Sequence, residues 1–274
     1  MWIKETVKDI TKKSSFDVHL NFLWKSDALP LYIMDNHLAA AWCWMQECNP
    51  KERYNFIHID RHNDLGALAP FSCYKHIKEN PHLSIDEYTG LRNPEQKEFD
   101  RPAFTWDNYI NQTIQLFPDW FRKCVYATHK PLNDSERKMN LGCNVIEEMR
   151  PFNIPDYLNG ELEIDPFDRL KIEAGGEQPT KWIVNLDLDY FFYSYGDDGM
   201  KRLMTDEYIR TLAAVMKRNL GRIEVITVAL SPECCGGWEN ALGTAMKLIR
   251  NEFLLEEGVE FIEDKNLYPE GWHS

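Results

Sequence analysis

A chain of 274 residues with 43% hydrophobic and 13% aromatic side chains is long enough to bury one sizeable core and too apolar for extensive disorder. Its formal net charge of -13 argues against a sequence-independent grip on nucleic acid, which needs clustered Lys and Arg to neutralise phosphates. No apolar run approaches the about 20 residues that span a bilayer, and the start Met1-Trp-Ile-Lys-Glu5 lacks the layout of a secretion signal.

Seven cysteines without a C-x-x-C pair point to free thiols in a reducing compartment, so a cytoplasmic protein with neither a membrane nor a nucleic-acid partner is expected. In chain order, residues 30–35 read as a short buried strand. The alanine-rich run 38–45 that follows reads as a helix, with His37 at the junction. A second strand covers 54–60 and leaves through the polar Arg61-His-Asn-Asp64 and Gly66. Further strands are expected at 123–128, 182–192, 225–230 and 259–262.

Helices are expected at 206–220, from the spacing of Ile209, Leu212, Ala213, Val215 and Met216, and at 240–256. Strands alternating with helices predict one α/β domain over 1–274, a three-layer α/β/α sandwich around a mostly parallel sheet. Segments 66–121 and 131–180 fit this scheme poorly and read as loop insertions with small helices around a site. Ligands in such folds bind at the carboxyl ends of the strands.

The chemistry-bearing side chains fall at those ends. Asp60-x-His62-x-Asp64 follows one apolar strand and Asp187-x-Asp189 ends another, each with alternate side chains on one face. Carboxylates gathered in that way repel one another unless cations sit among them. Four carboxylates with imidazole and no thiolate form a hard, oxygen-rich set that suits Mn²⁺ better than structural zinc. Two such ions, about 3.5 to 4 Å apart, would share a water and lower its pKa. His58 shares the parity of Asp60 but lies deeper in the strand, where a hydrogen-bonded support is favoured over a ligand. The aromatics Trp106, Tyr109, Trp120 and Phe121 read as core before groove, and Trp42 and Trp44 as packing.

Asp60-x-His62-x-Asp64 resembles the D-A-H-x-D motif of the arginase and deacetylase superfamily, and Asn185-Leu-Asp187-Leu-Asp189 resembles its S-x-D-x-D motif. Asp35-Asn-His37 occupies the place of its G-G-D-H motif. The resemblance therefore implies an arginase-like fold and six metal ligands: His37, Asp60, His62, Asp64, Asp187 and Asp189. It is closer still to the peptide arginases and their relatives, through Asp35-Asn-His-x-Ala-Ala-x-Trp-x-Trp44, His58-Ile-Asp-x-His-x-Asp-Leu65 and Ser231-Pro-Glu233 with Gly236-Gly237-Trp238, and it spans about residues 31 to 240.

That resemblance implies a hydrolase with two Mn²⁺ that converts an arginine within a peptide to ornithine and urea. A guanidino small molecule is the other substrate class. Glu233 matches the glutamate that grips the guanidinium, the other reading being a solvated loop residue. His76, in competition with His82, stands about where a proton-shuttle histidine is expected. Arg61 in place of the motif's alanine and Phe191-Phe192 in place of an aspartate-proline depart from the arginase pattern and argue against free arginine as substrate. Alternatives are a deacetylase-like amidohydrolase with one zinc and a metal-binding interaction protein without turnover.

Overall fold

The computed structural model describes residues 1–16, 18–67, 71–80, 82–92, 102–139, 143, 145–150, 153–163, 179–194 and 199–248. Its strands are β1 (Trp2–Lys4), β2 (Leu23–Lys25), β3 (Leu31–Met34), β4 (Tyr54–Asp60), β5 (Phe121–Thr128), β6 (Val145–Glu148), β7 (Trp182–Asp187), β8 (Phe192–Ser194), β9 (Met200–Arg202) and β10 (Ile223–Ala229). The helices are α1 (Ala40–Glu47), α2 (Phe71–Glu79), α3 (Ile85–Gly90), α4 (Tyr109–Leu116), α5 (Asp134–Met139), α6 (Ile154–Leu162), α7 (Asp206–Arg218), α8 (Pro232–Cys235) and α9 (Trp238–Leu248).

Among the described residues eight strands form one sheet, in the order β1-β2-β3-β10-β7-β4-β5-β6. The six strands from β3 to β6 in that order run parallel, and β1 and β2 close one edge antiparallel. Helices cover both faces, because alternate strand residues feed two separate cores. Ile57 and Ile59 of β4 and Val184 and Leu186 of β7 pack with Leu158 of α6, Leu212 of α7 and Ala241 of α9. Phe56 and Ile183, one residue out of phase, pack instead with Trp44 of α1 and Ile110 of α4. Continuing that second phase toward the strand ends gives His58, Asp60, Asn185 and Asp187, so the polar constellation opens on the face of α1 and α4.

Helix α7 buries all five of its expected apolar positions, takes a cap from the Thr205 side chain, and carries Asp206 and Glu207 at its start and Lys217 and Arg218 at its end. Those charges complement the helix dipole. The helix stops at Arg218, earlier than the expected residue 220, where the Asn219 amide turns back to the Val215 carbonyl at 2.9 Å.

The expected strand 182–192 is corrected. It ends at Asp187, whose carboxylate accepts from the Asp189 N–H at 2.9 Å and starts a 3-10 turn, Leu188–Phe191. Residues beyond that turn pair as β8 with β9 in a separate ribbon. The segments read as loops with small helices hold short helices, α2, α3 and α4 in 66–121 and α5 and α6 in 131–180, and in addition the unexpected strand β6. Helix α3 carries a reciprocal capping box between Ser84 and Glu87. The expected helix 240–256 begins earlier, at Trp238; its positions after 248, and the strand expected at 259–262, lie outside the described residues.

Tyr109, Trp120 and Phe121 are core residues, as are Trp42 and Trp44. Among the described residues Cys43, Cys48, Cys124, Cys143, Cys234 and Cys235 are free thiols, and no helix is long and apolar enough to cross a membrane.

Candidate metal centre

Strands β3, β10, β7 and β4 are consecutive in the sheet, and their carboxyl ends deliver the candidate residues to one place. After β3, the Asn36 side chain accepts from the Leu38 N–H at 3.0 Å and starts a 3-10 turn that presents His37. Asp60 is the last residue of β4, and its carboxylate accepts from the His62 N–H at 2.6 Å, which bends the chain back over the site. Asp64 then takes a left-handed conformation, φ 51°, one that Asp tolerates better than most residues. Asp187 ends β7, where the Ser231 hydroxyl donates to it at 2.6 Å.

Three overlapping groups among the described residues could hold a metal ion: His37 with Asp60 and Asp187, His58 with Asp60 and Asp64, and Asp60 with His62 and Asp189. Asp60 belongs to all three. The His37 ring sits against Asp187 through Nδ1 and 3.4 Å from Asp64 through Nε2. His62 Nδ1 lies 3.0 Å from Asp189 and 3.5 Å from Asp60. The four aspartates are all but fully buried, yet Asp60 Oδ2 and both oxygens of Asp64 receive no hydrogen bond, and His37 Nε2 makes none. Buried carboxylate oxygens left without donors are costly, and a cation is the partner that fits them.

Proton affinities report the same demand. Burial, then the charges of Asp64, Asp189 and Asp187, push the Asp60 carboxyl well above the usual carboxylate range. Burial, with Asp187 among the charges that add to it, raises Asp64 to about 6. For His37, burial opposes the charged ring, but Asp64, Asp187 and Asp189 outweigh it and raise the pKa to about 9. Without a cation the centre therefore attracts protons; a divalent ion satisfies the same charge imbalance.

His58 stands in one of the three candidate groups, and both of its ring nitrogens also have partners within the protein. Its Nε2 bonds to the His62 carbonyl at 3.0 Å, and its Nδ1 accepts from the Asn185 amide at 2.9 Å. Burial, followed by the charge of His37, lowers its pKa to about 3, which keeps the ring neutral for those two roles. Asn185 also reaches the Tyr109 hydroxyl at 2.7 Å and accepts from Thr227 at 2.8 Å. Tyr109 in turn stacks on the His37 ring, with centroids 5.1 Å apart. This buried network fixes the orientation of the ligands that surround it.

A small cavity of about 20 Å³ opens beside the cluster, with His37 and His62 at its base and Ser15, Phe16, Trp106 and Glu233 around it. Glu233 lies in the first turn of α8, just beyond β10. Both its oxygens are taken by Ser15, from the main-chain N–H at 2.6 Å and the hydroxyl at 2.5 Å. The Asn36 amide holds the Ser15 carbonyl at 2.6 Å, so one short chain of bonds joins Glu233 to the residue next to His37. Phe16 packs on Trp106 with centroids 4.8 Å apart, and Trp106 meets His62 edge-on. Gly236 closes the α8 turn at φ 82°, where a Cβ would come within 2.7 Å of Met200 Cβ.

The structure thus gathers His37, Asp60, His62, Asp64, Asp187 and Asp189 into one cluster and places Glu233 on the adjoining cavity. It does not bring His76 there. That residue is exposed on α2, where Tyr74 and Ile77 are the buried positions among those described, and helical phase turns position 76 to solvent. Ser15, Phe16 and Asn36 were not anticipated as site residues. Asn36 carried a signal, a capping side chain directly before a histidine, whereas Ser15 meets Glu233 across 218 residues and carried none. No protein-family model matches this chain and no curated protein matches it, so it is the donor set and its arrangement that mark this cluster as able to hold a metal ion.

Proposed function

We propose that this chain is a hydrolase that uses two divalent cations, Mn²⁺ by donor chemistry, to cleave a guanidinium C–N bond. The substrate is an arginine side chain within a peptide, and the products are a peptidyl ornithine and urea. The observation that carries the reading is the sharing of Asp60 between a His37–Asp187 group and a His62–Asp189 group, in a buried cluster where Asp60 Oδ2, both Asp64 oxygens and Asp189 Oδ2 lack donors. The resemblance of the three ligand motifs to the peptide arginases, on a mostly parallel sheet with its site at the carboxyl ends, supports the same conclusion and an arginase-like three-layer fold.

The residues fit the ions: oxygen donors predominate, imidazole completes the set, and no thiolate takes part. His37, Asp60, Asp64 and Asp187 would hold one ion, and Asp60, His62 and Asp189 the other. Bound there, the cations supply Lewis acidity and a water of lowered pKa, ready to attack at neutral pH.

The rest of the reaction belongs to side chains of the chain itself. Glu233 offers two oxygens to the planar guanidinium, a pairing that orients its central carbon toward the cluster. Ser15 holds that carboxylate in position through the same two oxygens. Because Ser15 occupies both Glu233 oxygens, an entering guanidinium displaces Ser15 from Glu233 and takes over its bonds. Phe16 and Trp106 form the apolar wall along which the aliphatic stem of the arginine lies. With His76 outside the cavity, the departing amine takes its proton from another source.

Urea release from arginine and from arginine-containing peptides, measured with added Mn²⁺, tests the assignment. Release from peptides but not from the free amino acid is the expected result. No release from either removes the ureohydrolase reading.

A further inference from the structure

The residue between Asp60 and His62 is an arginine, and its guanidinium is built into one half of the centre. The Arg61 main-chain N–H donates to Asp189 Oδ1 at 3.2 Å, and its side-chain Nε lies 3.6 Å from Asp189 Oδ2. Two of its nitrogens face His62 Nε2, at 3.3 and 3.4 Å. On its outer side Nη1 is clamped by the Cys234 carbonyl at 3.3 Å and by the Met200 sulfur at 3.4 Å. The side chain is 17% exposed, so the charge is fixed in place between β9 and α8.

The other half has no such charge. Asp60, Asp64 and Asp187 face histidines, and no Lys or Arg among the described residues pairs with them. Oxygens without donors occur on both sides, on Asp60 and Asp64 here and on Asp189 Oδ2 beside Arg61, so the difference between the halves is the fixed cation.

A guanidinium has five N–H donors, no acceptor and a permanent positive charge. A histidine that holds a metal through one nitrogen usually donates its other N–H to a carboxylate or a carbonyl. At His62 that second nitrogen meets donors and a cation instead. Charge and hydrogen-bond polarity both oppose a divalent ion on the His62–Asp189 side, while no Lys or Arg among the described residues opposes one on the His37 side.

We infer that the two halves of the centre fill unequally: the His37 half takes the first ion, and Arg61 already supplies part of the positive charge that a second ion would bring to the His62–Asp189 half. The inference rests on the two-ion reading above. The second ion should bind at least about tenfold more weakly than the first, since like charges a few ångströms apart repel strongly even in a screened site.

Calorimetric titration of the metal-free protein with Mn²⁺ alone, with electron paramagnetic resonance to separate isolated from spin-coupled ions, reads this directly. Wild type is expected to bind in two steps, or in one step with a second only at high Mn²⁺. Arg61→Gln should tighten the second step by about tenfold and leave the first unchanged, and Arg61→Met provides a second neutral side chain should the first variant fold poorly. Two equal steps in wild type overturn the inference, as does a second step that neither variant moves. Absence of any Mn²⁺ uptake by wild type, or a single ion in wild type and variants alike, overturns the two-ion reading itself.

Discussion

Replacing Asp60 by Asn is expected to strengthen the metal-free fold and to abolish its response to manganese. Asp60 is fully buried and its Oδ2 receives no hydrogen bond; the nearest ring nitrogens stand 3.6 Å away on His58 and 3.9 Å away on His37. The one bond Asp60 does accept, from the His62 N–H at 2.6 Å, survives in an amide through its carbonyl oxygen. The substitution therefore removes a buried group without a partner, worth about 1 to 3 kcal/mol, and relieves the repulsion from Asp64, Asp187 and Asp189. At roughly 2 to 4 °C per kcal/mol for a chain of this size, the chelated variant should melt about 2 to 12 °C above chelated wild type. Manganese at a hundred times its dissociation constant should stabilise wild type by about 2.7 kcal/mol. It should do almost nothing for the variant, which lacks the carboxylate common to all three ligand groups. Thermal melts with chelator and with Mn²⁺ give all four values. A variant that melts below wild type in chelator, or that keeps the manganese shift, would refute the view of Asp60 as a buried charge waiting for a cation.

Three further outcomes follow from the geometry. Glu233→Gln should lower kcat/KM on an arginine-containing peptide by about 30- to 1000-fold, the loss of a charge-assisted double hydrogen bond, while manganese uptake stays intact; steady-state urea assays beside a metal titration separate the two. His76→Ala should leave that rate within about twofold of wild type, because the residue is exposed on α2 away from the cavity; a large drop would place it in the reaction after all. Gly236→Ala should cost about 1 to 3 kcal/mol in urea unfolding, since φ 82° and the 2.7 Å approach to Met200 both oppose a Cβ.

Local patterns were the readable part of this chain. Strand β4 was expected at its observed bounds and β3, β5 and β10 within two residues, because runs such as Phe56-Ile-His-Ile-Asp60 show their burial directly in residue order. The ligands were legible for the same reason: alternate side chains on a strand end share a face whatever the rest of the fold does. Strands β1 and β2 were missed, as three-residue strands whose pairing, β1 with β2 and β2 with β3, is set by tertiary contact rather than by pattern. The strand through Asp187 was drawn too long because the side chain of that residue caps the turn after it, an event that apolar content does not report. His76 was chosen by distance along the chain, and helix phase defeated the choice. Arg61 was noticed as a departure from a motif, but its position against His62 and Asp189 depends on β9 and α8, far away in sequence.

The bond between Ser15 and Glu233 also bears on the order in which the protein comes together as it is synthesised. Ser15 emerges from the ribosome long before Glu233 and is held to Asn36 and indirectly to Asp35 through Asn21, which donates to both the Ser14 carbonyl and the Asp35 carboxylate. Its acidic partner emerges 218 residues later, and Trp238, which donates to the Lys13 carbonyl, later still. Contacts that span most of a polypeptide form late, after the local and intermediate ones have shortened the loop to be closed. A nascent chain can thus pair β4 with β5 well before Glu233 exists, but β3 reaches β4 only through β10 and β7, so His37 and Asp60 meet only once β10, which directly precedes Glu233, has been made.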